Sequence, residues 1–461
     1  MKKVLLTGSA LLAFAAAGFA QINTTTTVQN GTRQTAQQQQ TGNYLTSTIS
    51  QDQTDRSNVG SFAATRQEST GQAGNMASVR QDVGSKGNRG YVTQVGGTGN
   101  VGSITQSNGS GSGSLQVTDG TSSADVRAAG GNWGGLYQQG SNNKDVSINQ
   151  SNVASKNFAE ITQYANSSKA TSIEQSTNSV NNEARIAQGT AEKAVTGVAA
   201  RIQQSGISQN NMAMITQLGD NNTGLVTQND GSLNNTANVT QSGTYGRATV
   251  NQGQDANFNS ATIKQDTKGF YGGKSNTAAI DQSNLSGQNT ATIEQHGIYD
   301  VASINQGSKA VGNEATIQQQ GYASNATINQ YNVTNSSAKI TQDLATQSGG
   351  IDVAEIQQGS SSMAPSNNNK ATITQEYSYN TAKLRQYGND NTATLSQEVG
   401  DKNVIKGIGT DANGQYALQQ GNGNALTVSQ DSGKSNYVPN VANVSQIGNG
   451  NTTTVMQMGR N

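Results

Sequence analysis

The sequence has no cysteine, two prolines, one histidine and few aromatic residues, 5% of 461 positions. Without cysteine there is no disulfide framework, no thiolate metal site and no thiol nucleophile. Hydrophobic residues make up only 31%, too few to fill the roughly three globular cores that the length alone would suggest. Charge is equally sparse at 12%, with 28 basic and 28 acidic side chains. The self-repulsion that keeps a disordered polyelectrolyte open is therefore missing, and no basic face is offered to nucleic acid or to an anionic membrane. In place of all these stand 54 glycines, 54 asparagines and 51 glutamines. Amide-rich chains of low charge tend towards β-association.

Residues 1–20 read as a secretory signal peptide: Lys2 and Lys3 give a positive start, an apolar stretch follows, and Gly18-Phe19-Ala20 supplies small residues for cleavage. The apolar stretch is shorter than the ~20 residues that span a bilayer, and no later run approaches that length, so no membrane insertion is expected. Loss of the two lysines leaves 26 basic against 28 acidic residues, a net charge of −2. Residues 21–46, rich in Thr and Gln, read as a flexible segment, a spacer or a handle for a secretion machine.

From residue 47 to 461 one five-residue word recurs: Ala, any residue, Ile/Val/Leu, any residue, Gln. Its strict form occurs 19 times, as in Ala261 to Gln265 and Ala291 to Gln295, and relaxed copies bring the total to about 31 to 33. Closing glutamines at 217, 228, 241, 252 and 265 are spaced alternately by 11 and 13 residues, so two words make a unit of 24. A fixed period of that length signals a solenoid. Period-2 spacing puts Ala, Ile and Gln on one face of a strand, and the Gly- and Asn-rich segments between words supply turns. The fold class expected is all-β, a β-solenoid of stacked strand-turn-strand coils with two parallel sheets facing each other. Fifteen or sixteen coils would make a cross-β rod of roughly 70 to 80 Å.

The expected stacking core comprises Ile263, Gln265, Ile293, Gln295, Ile304, Gln306, Ile317, Gln319, Ile328, Gln330, Leu384, Gln386, Leu395 and Gln397, with glutamine amides forming ladders along the axis. Gly219, Asn222, Gly388, Asn391, Gly448 and Asn451 are the expected turn residues. The words weaken between Ser107 and Gly135, and near Asn403 to Gly407 the closing Gln is lost, so these coils are expected to be the least stable. A solenoid exposes unpaired backbone at both ends. Ile49, Gln51, Val444, Gln446, Val455 and Gln457 would make contacts between copies, and head-to-tail contact that does not close grows a filament.

No catalytic, cofactor or metal site is expected. Acidic residues are scattered, His296 stands alone in a turn, and Trp133 reads as a residue of a Gly-rich connection. Asp220, Asp266 and Asp300 read as solubilising groups in turns. A monomeric ice-binding or ligand-binding β-solenoid is the alternative, and the ice-binding form is the one with a sequence signature. It needs an unbroken outward Thr column, whereas the second slot holds Thr at 262, 292, 316, 372 and 394 but also Glu160, Arg185, Lys339 and Lys383.

The run Gln-x-Gly-x-x-Asn-x-Ala-x-x-x-Gln, complete at Gln386, Gly388, Asn391, Ala393 and Gln397, resembles the curlin repeat. The chain is similar to major curli subunits, with several times as many repeats as familiar members. The resemblance implies a secreted subunit of extracellular amyloid fibres on a Gram-negative type cell surface, serving biofilm adhesion and surface colonisation. It also implies itself as the main partner, a minor nucleating curlin, and a curli secretion pore with accessory proteins. The Gln/Thr-rich segment would then be the secretion-targeting region.

Overall fold

Each word becomes a strand because its three inward side chains are the ones that need cover. In Thr290–Gln295, Ala291, Ile293 and Gln295 are buried while Thr290 is exposed and Thr292 and Glu294 lie half-exposed. The computed structural model describes residues 23–31, 34–53, 61–69, 74–82, 87–107, 131–266, 276–343, 351–399, 402–408, 415–432 and 440–458. Every named element among these is a strand.

Neighbouring coils pair in parallel and in register. Ala261, Ala291 and Ala315 stack, as do Ile263, Ile293 and Ile317, and Gln265, Gln295 and Gln319. In the facing sheet Ile304 lies against Ile328 and Gln306 against Gln330. Consecutive words alternate between two such ladders. The first runs from Thr24–Gly31 to the pair Val441–Asn443 and Ser445–Ile447; the second runs from Thr35–Gly42 to Thr452–Met458. Among the described residues the first ladder contains eighteen strands, and two of its levels are each built from two half-strands, which makes sixteen levels. Both ladders are open, and their inward Ala and Ile side chains form one continuous apolar column from Ile49 to Val444.

Turns between words are tight enough to demand glycine at particular places. A Cβ on Gly219 would lie 1.9 Å from the backbone oxygen of Gly243 in the next coil, and one on Gly388 would lie 2.1 Å from the oxygen of Gly421 at a φ of +98°. Gly219→Ala is therefore expected to lower stability by about 1–3 kcal/mol, the usual cost of forcing an extra carbon into a close-packed site. The midpoint of urea unfolding reads it, and an unchanged midpoint would refute the close-approach account.

Three departures from the sequence reading concern the strands themselves. Two strands within the segment 21–46, expected to be flexible, belong to the first coil: Thr24–Gly31 pairs with Thr46–Gln53, and Thr35–Gly42 with Phe62–Ser69. The ladder tolerates Thr and Gln there because backbone pairing to the next coil does not depend on the side chain. Trp133 opens the strand Trp133–Gln139 rather than standing in a connection, and Gly134, Leu136 and Gln138 take the three inward slots. Near residue 403 the closing glutamine is displaced, not lost. The strand breaks after Val404–Lys406 and resumes as Ala417–Gln420, with Gln419 stacked on Gln386. Residues 1–20, read as a signal peptide, Pro439 and the segment 108–130 lie outside the described residues.

Candidate functional site: amide ladders and solenoid ends

A glutamine on the inward face can be buried only if both amide atoms are bonded. In the first ladder each Nε2 donates to the Oε1 of the glutamine one coil further on, unbroken from Gln29 to Gln446, as in Gln282 to Gln306 and Gln306 to Gln330, both at 2.8 Å. The second ladder does the same from Gln40 to Gln457, with Gln265 to Gln295 at 2.8 Å and Gln295 to Gln319 at 2.9 Å. The other Nε2 hydrogen crosses the interior to a backbone carbonyl of the facing strand: Gln295 donates to Thr277 O at 3.0 Å and Gln306 to Thr290 O at 3.2 Å. All fourteen residues read from the sequence as stacking core are buried in these columns.

A second pair of ladders runs through the residue that leads into each strand, and the sequence reading identified only isolated members of it. Asn211 Oδ1 accepts from Asn235 N at 2.8 Å, and its Nδ2 donates to Ser232 O at 3.0 Å in the next turn. Asn235, Asn259, Asn289 and Asn313 continue the series. The expected turn residues belong to it: Asn222 accepts from Gly246 N at 2.7 Å, and Asn391 from Asn424 N at 3.1 Å. Asn451, in the last described coil, donates through its backbone to Asn424 Oδ1 at 3.0 Å. Gly219, Gly388 and Gly448 lie at the matching corners, the last two at positive φ.

Asp300, read as a solubilising turn residue, is fully buried in this series. Asn276 beneath it uses Oδ1 to accept from Asp300 N and Nδ2 to donate to Gly297 O at 2.9 Å. Asp300 Oδ1 accepts from Ser324 N at 3.1 Å. Its Oδ2 occupies the place of the amide nitrogen and has no hydrogen-bond partner among the described residues. Burial pushes this carboxyl up to about 7, against the opposing pull of the Ser324 and Gly297 backbone amides. By contrast His296 is exposed in its turn, and no group of three or more His, Cys, Asp or Glu able to hold a metal occurs among the described residues.

Outward side chains also stack by register. Opposite charges meet across coils, as in Lys264 and Glu294 at 2.9 Å and Lys383 and Glu355 at 3.4 Å. The rings of Trp133 and Phe158 stack at 4.6 Å with a 3° angle between planes. Each ring thus has a face turned to the other along the column, which suits ladder packing and not a flat platform for a ligand.

The two ends differ. Val444 and Val455 remain in the apolar slots of the last described coil, Gln457 is at its edge, and Gln446 Nε2 bonds Thr453 Oγ1 at 2.9 Å. Ile49 and Gln51, expected as contacts between copies, are instead fully covered, since Thr27 and Gln29 stack on them.

A sequence model of the family described as curlin associated repeat matches residues 209–243 and 367–398. No curated protein matches the sequence. The matched segments contain Gln217, Asn222, Gln228, Gln386, Asn391 and Gln397, the residues from which the amide ladders are built. The chain carries curlin associated repeats at these two regions, and the ladder residues found there recur along the rest of the solenoid.

Proposed function

We propose that the protein is a secreted structural subunit, not an enzyme, that polymerises head-to-tail into extracellular amyloid fibres of a biofilm matrix and so serves adhesion and surface colonisation. The curlin-repeat family is structural and extracellular, and no helix among the described residues is long and apolar enough to cross a membrane. The observation that carries the reading is the single sense of both amide ladders. Gln457 Nε2, and Gln446 Nε2 once it exchanges its bond to Thr453 Oγ1, are the donors at one end, and the Oε1 acceptors of Gln29 and Gln40 lie at the other. A second copy in the same orientation matches donor to acceptor; a reversed copy sets like against like. Open strand edges at both ends template that addition. A minor nucleating curlin, a secretion pore with accessory proteins, and export by residues 1–20 with residues 21–46 as targeting region belong to the same proposal, on family resemblance.

Purified chain without residues 1–20 is expected to form fibres, bind amyloid dyes and diffract at about 4.7–4.8 Å along the axis. Chain that stays monomeric at high concentration in the presence of preformed seeds would refute the reading. One observation favours the ice-binding alternative: sorted by sheet, Thr292, Thr316, Thr372, Thr394, Thr427 and Thr454 share one outward column, broken by Lys339. Thermal hysteresis of the monomer tests it, and none is expected, because the Lys264–Glu294 pair puts charge in the adjoining column.

A further inference from the structure

Three of the four slots that elsewhere hold a small residue and an aliphatic one are filled differently in the first coil, where only Ala36, over Ala63, keeps the usual type. Thr25 and Thr27 stand on Ser47 and Ile49, beyond which come Ala77 and Val79; in the facing ladder Gln38 stands on Thr65 and then Val92. Thr27 Oγ1 donates to Gln38 Oε1 at 3.0 Å, and Gln38 Nε2 donates to Thr26 O at 3.0 Å. Two polar side chains thus close over the end of an apolar column. At the opposite end the column stops at Val444 and Val455. Copies stacked in the phase of the repeat set Val444 on Thr27 and Val455 on Gln38, while Gln446 and Gln457 meet Gln29 and Gln40.

We propose that the first coil is an adaptor that weakens every joint between copies, so that it sets the concentration at which fibres grow and leaves their register intact. The proposal rests on the fibre-forming reading. Joining two copies takes Val444 and Val455 out of water but gives them a hydroxyl and an amide as neighbours, so part of the apolar gain is offset by desolvating those polar groups. The amide pairs at Gln29 and Gln40 still fix phase. A monomer added at either end makes the same joint, so the effect falls on the equilibrium and is shared by both ends.

The test is the soluble concentration left at the plateau of assembly. Thr27→Val with Gln38→Leu, close in shape to the residues replaced, is expected to lower it by at least about tenfold. The outward pair Thr26→Val with Gln37→Leu is expected to leave it within about twofold. Thr27→Val alone, the milder change, should move it in the same direction and serves if the double variant fails to fold. An unchanged or higher plateau in the inward variants, with fibres still forming, overturns the proposal, as does an equal drop in the outward pair. Absence of seeded fibres from the parent and all variants would instead remove the fibre-forming reading beneath it.

Discussion

Gln295→Leu is expected to cost about 2–6 kcal/mol of stability, because it leaves the Oε1 of Gln319 without its donor and a hydrogen of Gln265 Nε2 without its acceptor, each buried orphan costing about 1–3 kcal/mol. Ile293→Ala, two residues earlier in the same strand, is expected to cost about 2–5 kcal/mol through lost burial and the cavity left behind. From composition alone one would rank the isoleucine well above the glutamine, since one hydrogen bond is worth little net. The ladder changes the ranking. Each glutamine is partner to two others, and its removal charges the desolvation of its neighbours. Denaturant unfolding below the assembly concentration measures both variants. A glutamine variant within about 0.5 kcal/mol of the parent would show that the amide ladders contribute little, and that the apolar column alone holds the coils together.

Asp300→Asn is expected to stabilise the protein at pH 8 by about 4 kcal/mol, the equivalent of moving a carboxyl from its ordinary 3.8 to about 7. The sign follows from proton binding. Between those two values the folded protein holds a proton on Asp300 that the unfolded chain has released, so stability falls as pH rises through this window and is level above it. Below pH 4 parent and variant converge, since the protonated carboxyl can donate where an asparagine amide would. The Asn276 amide already does so one coil earlier, to Gly297 O. Glu294 acts in the opposite sense in acid: hydrogen bonds from Lys264 and Gln318 hold its carboxyl below the ordinary value, so what it adds is lost as pH falls. The difference between parent and variant, followed from pH 4 to 8, isolates Asp300. A flat difference across that range would refute the account.

What could be read from the sequence was whatever repeated. Ala, Ile and Gln at period 2 gave the inward face, the 11 and 13 alternation gave two strands to a coil, and the columns through Ile263, Ile293 and Ile317 follow directly. What escaped was whatever the fold supplies by register alone. Thr27 and Gln38 carry no apolar signature, and their membership of a coil shows only in the backbone pairing to Ile49 and Thr65. Asp300 looks like any turn acid until its place in the asparagine column is known. Trp133 lies in a Gly-rich stretch, yet Gly135 is there because a Cβ would strike the indole, 2.4 Å from its edge. The N-terminal end of the solenoid lies one coil before the first recognisable word, because the word was defined by its isoleucine.

The broken coil at residues 404 to 420 bears on how such a chain can change. There the large and small inward residues exchange places: Ile405 stacks on Ala382, and Ala417 on Leu384. The interior is thus filled storey by storey, to a total volume, and does not require a given side chain at a given post. The returning segment is fastened from outside, where Tyr416 hydroxyl donates to Glu355 at 2.8 Å and Arg385 lies 3.7 Å from the ring centre. A storey can therefore be interrupted between Lys406 and Ala417 while the storeys above and below stay aligned, which makes this position the natural port for added sequence.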